Sequence, residues 1–557
     1  MDDSVPNYYR YWGKADADGA YHLLPYHCLD VAAVGWYLLD PKEPRCICIA
    51  AQLEVEPGWL RSFFVFCLTL HDLGKFARAF QGLRDLSSDL VKANRRMRYT
   101  VRHDTLGFFL WIRNLSALLE KKVNNATWIK DVHSWLEIVT GHHGMPPKKS
   151  GERVANFFNQ DDEDAAFEFV RDVFDFILGE FDYSPLHNKE LRNRLRMVSW
   201  QLAGLSVLAD WQGSNREHFQ YVKGYKALSE YWDKEALPSA KKAVQAMPEK
   251  PKQRQFFGIS DLFSFIQRPS PLQQYAINKH MTEKPQLFIL EDITGAGKTE
   301  AALILTHRML GAGLADGVYI ALPTMATANA MYIRLGNVYR RFYEAGENPS
   351  LILAHGARDL SDAFKESVLL SESQPEDLLT YSDGDKKQIR EFSATAFCNA
   401  WLADNRKKAL LADVGVGTID QALLGVLPVR HQSLRLLGLR RNVLLVDEVH
   451  AYDLYMLKLL ETLIEFHSKQ GGSVILLSAT LPKTIRENLV AAFQKGLGSE
   501  ATKIENLAYP LATHITETEK TEQYIDTRGE LKRSVTVTRN ETAHYYDARI
   551  GWQPQGE

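Results

Sequence analysis

The chain has 557 residues, of which 45% are apolar and 24% charged, and a formal net charge of -3. That length exceeds a single core and predicts two large units or about three to four smaller ones. The composition is that of a globular protein, and the near-neutral charge excludes a uniformly basic nucleic-acid binder while leaving room for a local basic groove.

The five cysteines, at 28, 46, 48, 67 and 398, include a lone C-x-C and no zinc-ribbon spacing, so buried or free thiols in a reducing compartment are expected. The start, Met1-Asp2-Asp3, lacks the basic region and apolar run of a signal peptide. No apolar stretch approaches the ~20 residues of a membrane helix. A cytoplasmic protein without membrane contact is the expectation.

Residues 1–245 read as one all-α unit. Apolar residues recur at helical spacing or in short buried runs over 31–39, 59–70, 106–119, 135–139 and 191–208. Within it, Phe63 to Phe76 reads FFVFCLTLHDLGKF, an apolar segment that delivers His71 and Asp72 side by side with Gly74 and Lys75 behind them. A His-Asp pair alone is a weak signal. Its weight comes from His27, His103, His142, His143 and Asp210, each placed where a helix is expected to begin or end. Any one such histidine is usually a core or surface residue, as His22, His133 and His187 are read here. Jointly, imidazoles and carboxylates at helix ends are what a two-metal cluster requires, because those donors suit mid-row transition ions and an aspartate can bridge two of them.

Just before His103, KANRRMRYTVR places Lys92, Arg95, Arg96, Arg98 and Arg102 in one basic run. It is either a solvated face or a guide for a phosphate backbone, with Tyr99 available for base stacking.

HDLGK at 71–75, TGHHG at 140–144, LADWQGS at 208–214 and YHCLDVAAV at 26–34 resemble the HD nuclease domain of the CRISPR-associated helicase-nucleases of type I systems, most closely the type I-E branch. The resemblance implies that His27, His71, Asp72 and Asp210 hold one ion and Asp72, His103, His142 and His143 a second. Asp72 bridges the two ions, and Lys75 faces the scissile phosphate. It further implies iron-, manganese-, cobalt- or nickel-type ions and catalytic roles for His71, Asp72 and Lys75. Two ions about 3.5 to 4 Å apart can activate a water and neutralise charge on phosphate oxygens. Hydrolysis of DNA or, as in other HD domains, of nucleotide phosphates would follow.

Residues 235–256, EALPSAKKAVQAMPEKPKQRQF, read as a linker. Beyond them the pattern changes to short apolar runs at 287–290, 318–322, 351–354, 443–446 and 474–477 separated by helix-length stretches, which predicts an α/β RecA-like domain with a parallel sheet over 246–515. TGAGKT, Thr294 to Thr299, follows the first run. Gly295 and Gly297, flanking Ala296, turn backbone amides toward phosphates, Lys298 reaches the β and γ phosphates, and Thr299 ligates magnesium. Asp292 stands where the first glycine of the usual pattern would be. LLVDEVH at 444–450 places Asp447 to hold magnesium and Glu448 to orient the attacking water.

With LSAT at 477–480 and Gln273, these resemble the Q motif and motifs I, II and III of a DEAD/DEAH-type superfamily 2 helicase. By that resemblance Gln273 reads adenine, and Ser478 and Thr480 couple ATP state to strand movement. ALPTMATANAM at 321–331, AHG at 354–356 and GTIDQALL at 417–424 would contact single-stranded DNA. The joint expectation is an ATP- and magnesium-dependent translocase behind a metal nuclease, recruited to DNA by the crRNA-guided surveillance complex Cascade. About 40 residues follow AYPL at 508–511, read as an interdomain segment over 516–557 and too few for a second RecA-like domain. The expectation is a fragment, or a second polypeptide that supplies the remaining lobe. The alternatives are an HD nucleotide phosphohydrolase and a non-motile DNA- and ATP-binding half.

Overall fold

The computed structural model describes residues 5–94, 96–122, 128–147, 152–247, 250–354, 409–429, 431–526, 544–547 and 551–554. Arg95, Cys398 and two of the three residues of AHG lie outside them.

A helical unit comes first. Its principal helices are α1 (Leu24–Leu38), α2 (Pro44–Leu53), α3 (Pro57–Thr69), α4 (His103–Leu110), α5 (Ile129–Thr140), α6 (Gln160–Leu178) and α7 (Lys189–Gly213). Pro25, Pro44 and Pro57 sit in the first turns of α1, α2 and α3, where a missing N–H costs no intrahelical bond. Helix α3 is the centre of this unit. Phe63, Phe64, Val65, Phe66, Cys67 and Leu68 are all fully buried, so the helix is packed on every side. Each large side chain so buried contributes about 1.5–3 kcal/mol, and the turn at the end of α3 is correspondingly fixed. Helix α6 is opened by a capping box between Asn159 and Asp162. The Asp162 carboxylate also accepts the Tyr11 hydroxyl at 2.6 Å and the Arg78 guanidinium at 2.7 Å.

The unit is not purely helical. Strands β1 (Trp12–Ala15) and β2 (Tyr21–Leu23) form an antiparallel hairpin packed on α1. Strands of four and three residues are too short to show alternation, and the hairpin is held instead by the Asp16–Ala20 turn, with Gly19 at φ +84.

The second unit is an eight-stranded sheet. Its strands are β3 (Leu287–Glu291), β4 (Gly317–Leu322), β5 (Leu351–Ala354), β6 (Val414–Thr418), β7 (Asn442–Val446), β8 (Val474–Ser478), β9 (Leu511–Ile515) and β10 (Lys520–Tyr524), in the spatial order β10-β9-β3-β8-β7-β4-β6-β5. The six strands from β3 to β5 are parallel, as the continuous apolar runs imply. Strands β9 and β10 depart from the all-parallel expectation, because β9 pairs antiparallel to both β3 and β10. The KTEQY of β10 is polar because it is an edge strand, and it extends the sheet into the stretch expected to lie between domains.

One hydrophobic cluster runs from Tyr8 to Ala243 and a second from Leu262 to Ile525. The two units meet where α7 packs against α8 (Gln432–Leu439). Among the described residues no helix is long and apolar enough to cross a membrane.

Candidate metal and nucleotide sites

Five structural elements converge on Asp72. His27 lies in the first turn of α1, and His71 and Asp72 form the turn after α3. His103 is the first residue of α4, His142 and His143 sit in a short turn after α5, and Asp210 lies inside the last turn of α7 rather than beyond its end. Gly74 makes this convergence possible: a Cβ there would stand 1.9 Å from the His103 carbonyl oxygen and 2.6 Å from the Gly107 nitrogen. The glycine of HDLGK lets the two backbones touch and brings His103 beside Asp72.

The two oxygens of Asp72 face different groups. Oδ2 lies 3.0 Å from His27 Nε2 and 3.2 Å from His71 Nε2. Oδ1 lies 3.4 Å from His103 Nε2 and 3.6 Å from His142 Nε2. Asp210 Oδ1 stands 3.8 Å from His27 Nε2 and 3.9 Å from His71 Nε2, and His143 Nε2 is 2.7 Å from His103 Nε2. Two sets of donors gather closely enough to hold an ion each, His27 with His71 and Asp72, and His103 with His142 and His143.

The donor chemistry fits such ions. His71 Nδ1 faces the Leu68 carbonyl at 2.8 Å and His142 Nδ1 the Val139 carbonyl at 3.1 Å. A carbonyl only accepts, so both protons sit on Nδ1 and both Nε2 lone pairs face the cluster. Buried and without a hydrogen-bond partner are His27 Nδ1, His71 Nε2 and Asp72 Oδ1, an arrangement that costs stability unless another group satisfies them. Burial holds His27 and His103 well below the usual imidazole range and pushes His142 down to about 3. Burial would raise the Asp72 and Asp210 carboxyls, but Lys75 and His71 around Asp72, and Lys14 and His142 around Asp210, hold both below the usual range. Neutral imidazoles and ionised carboxylates are the forms that bind metal.

Three neighbours complete the cluster. Lys75 Nζ donates to the Gly13 carbonyl at 2.9 Å and lies 2.6 Å from Asp72 Oδ2, so it is tied to the cluster rather than extended from it. Lys14, from the hairpin, stands 3.9 Å from Asp210. Tyr99, available for base stacking in one reading of the basic run, places its hydroxyl 2.9 Å from His103 Nδ1 and accepts the His103 N–H at 2.8 Å. A tyrosine four residues before a ligand histidine was the available signal.

His22 is the core histidine that the sequence suggests. Its Nε2 lies 2.9 Å from Asp30 Oδ2, and its Nδ1 accepts the Val222 N–H at 2.9 Å. His22→Ala is expected to lower stability by about 1–3 kcal/mol, by stripping one partner from buried Asp30, with no change in bound metal. Denaturant unfolding and metal analysis check the two halves.

The nucleotide loop joins β3 to α9 (Lys298–Gly311) at the carboxyl edge of the sheet. Asp447 and Ser478 lie just beyond or at the ends of β7 and β8 on the same edge, where ligands of α/β sheets bind. Thr294 and Gly295 are exposed, Ala296 is buried, and Gly295 and Gly297 have φ of +86 and +88. Lys298 Nζ donates to the Asp292 and Ile293 carbonyls at 2.6 and 3.0 Å, closing the loop on itself. The Asp292 carboxylate accepts the Ile293 N–H at 2.7 Å, a local cap that explains a carboxylate so near a phosphate loop. Thr299, the next residue of α9, is half-buried.

Gln273 accepts the Ser270 N–H at 2.9 Å in a capping box and sits directly beneath Gly297. Asp447 accepts the Glu448 N–H at 2.9 Å, and burial, then Glu448, raises its carboxyl. Glu448 is held at φ +54, a strained conformation of the kind found at functional sites. His450, which sequence reasoning did not single out, bridges the two motifs: its Nδ1 lies 3.3 Å from Ser478 Oγ and 3.3 Å from Glu448 Oε2. Ser478 Oγ in turn donates to the Thr480 carbonyl at 2.8 Å.

Comparison with known proteins agrees with this architecture. Residues 12–219 match the family described as Cas3, HD domain. The chain is 31% identical over 541 residues to the CRISPR-associated endonuclease/helicase Cas3 of Escherichia coli (strain K12), covering 90% of this chain and 57% of that protein. It is 31% identical over 501 residues to the protein of the same name from Thermus thermophilus, covering 86% of this chain and 50% of that one. The crystal structure of T. fusca Cas3 matches with a TM-score of 0.69 at 26% identity, covering 97% of this chain and 57% of that chain. The same protein with AMPPNP matches at 0.70 and 26% identity, covering 97% and 58%. The chain thus spans about half the length of the curated relatives it matches.

Proposed function

Because this chain belongs to the Cas3 family of CRISPR-associated nuclease-helicases, we propose that it cuts single-stranded DNA at the Asp72 cluster and binds ATP with magnesium at the Thr294 to Thr299 loop. The observation that carries this reading is that Asp72 presents one oxygen to each of two histidine groups. Residues 1–245 form the nuclease unit and the ATP-binding lobe begins at 246, a division supported by the two separate hydrophobic clusters, the second of which carries the lobe past 515 to Ile525. A DNA strand guided to this site by the crRNA-guided surveillance complex Cascade is the substrate in the full system.

His27, His71, Asp72 and Asp210 hold one ion and Asp72, His103, His142 and His143 the other. The imidazole-rich donor set suits iron, manganese, cobalt or nickel. Bound there, such ions would supply the Lewis acidity that activates a water and neutralises charge on a phosphate. The chain's own groups do the rest. The Leu68 and Val139 carbonyls fix the tautomers of His71 and His142, and Tyr99 fixes the ring of His103. Lys75, with two of its three N–H groups engaged, turns the third toward a phosphate oxygen. In the ATP-binding lobe Lys298 exchanges its two carbonyl partners for the β and γ phosphates, Thr299 and Asp447 hold magnesium, Glu448 orients water and Gln273 reads adenine.

The rival reading, a nucleotide phosphohydrolase, uses the same ligands but gives no role to a second, ATP-binding lobe. Incubated with Mn2+ and no ATP, the chain is expected to convert circular single-stranded DNA to fragments and to leave nucleotides intact. Fast dephosphorylation of nucleotides with an uncut circle would reverse the assignment.

A further inference from the structure

Gly144 follows the His142-His143 pair and has φ +86. Its carbonyl accepts the N–H of His431, a residue of the α/β unit, at 2.8 Å. A Cβ on Gly144 would stand 2.4 Å from that same nitrogen. His431 is buried and itself held at φ +61, a conformation that is strained for a residue other than glycine and persists only where its surroundings impose it. Its ring lies 5.7 Å from that of Trp211, the residue after Asp210. It also opens α8, which is seated on α7 so closely that a Cβ on Gly204 would stand 2.9 Å from the Ser433 carbonyl oxygen and 3.1 Å from Leu437 Cβ. One strained residue of the α/β unit therefore touches the turn behind two ligands of one metal position and the residue beside a ligand of the other.

We propose that His431 is a positioning residue through which the ATP-binding lobe sets the geometry of both metal positions. The inference rests on the metal-nuclease reading above. His431 reaches no ion. It fixes the Thr140 to Gly144 turn through a main-chain bond and the end of α7 through its ring, so a change in the lobe reaches the ligands without passing through DNA.

The test titrates Mn2+ by calorimetry into the full chain and into Gly144→Ala, His431→Gly and His431→Asn, with circular dichroism and AMPPNP binding measured in parallel. Gly144→Ala drives His431 from the turn and is expected to weaken Mn2+ binding about 10- to 100-fold, the usual effect of losing a partner behind a ligand. His431→Gly keeps the N–H and adopts the left-handed conformation without strain but loses the ring, and a loss of about 10-fold is expected. His431→Asn, which likewise tolerates the left-handed conformation and lacks an aromatic ring, is expected to fall with His431→Gly. AMPPNP binding stays parental in all three. Should Gly144→Ala not fold, His431→Gly decides. Parental Mn2+ affinity in a folded His431→Gly chain overturns the inference alone. A parent chain that binds no Mn2+ overturns the nuclease reading and this inference with it.

Discussion

Asp72→Asn is expected to reduce Mn2+-dependent cleavage of single-stranded DNA by about 10²–10³-fold or more, since it removes the one charge shared by both metal positions. The amide keeps the shape of the carboxylate, so it still offers an oxygen to Lys75, but it places an NH2 at the Oδ1 position, where it donates to the His142 lone pair that would otherwise be free for an ion. Alanine is the poorer choice. It would leave the Lys75 ammonium, 4% exposed, with only the Gly13 carbonyl, and removing one partner of a buried pair costs about 3–5 kcal/mol. A loss in the alanine variant would mix unfolding with chemistry. Cleavage rates and thermal unfolding of the asparagine variant, measured together, separate the two, and a folded variant cutting at the parental rate would refute the shared-carboxylate reading.

Lys298→Ala is expected to weaken AMPPNP binding about 10- to 100-fold, the worth of a charged hydrogen bond to phosphate. The ammonium is available because its present partners, the Asp292 and Ile293 carbonyls, are neutral and belong to the loop itself. Burial lowers the Lys298 pKa while Glu448, Asp292 and Asp447 oppose that shift, so a triphosphate meets a cation already held among acids that magnesium would bridge. Fluorescence titration checks the affinity, and metal analysis is expected to show Mn2+ content unchanged. Parental affinity would mean that the loop does not cradle phosphate.

The residues gathered around Asp72 were legible because two motifs mark them. HDLGK sets a glycine three residues after His71 and TGHHG one directly after His143, and both glycines mark close backbone approaches: Gly74 against α4, Gly144 against His431. The six parallel strands were legible in part, because strands buried on both faces read as apolar runs; β6, with its glycines at 415 and 417, does not, and only its end was singled out, in the GTIDQALL motif expected to contact DNA. What escaped depends on long-range packing. The hairpin that carries Gly13 and Lys14 into the site is too short for a pattern. Strand β10 is polar because it lies at an edge. Tyr99 reads as a surface aromatic in a basic run, and only the fold turns its hydroxyl onto His103. Asp210 was expected to end a helix at 202–209, and α7 continues through Gly213, so its carboxylate is aimed by the geometry of the last helical turn. His431 carried no signal, since a left-handed backbone leaves none in a histidine.

The central claim, that Asp72 bridges two metal positions, is tested most directly by electron paramagnetic resonance of the chain loaded with two equivalents of Mn2+. Two ions sharing one carboxylate are magnetically coupled, so the expected result is an exchange-broadened spectrum that collapses to the six-line pattern of an isolated ion in Asp72→Asn. A parent chain that shows only the isolated six-line pattern at two bound equivalents would contradict it.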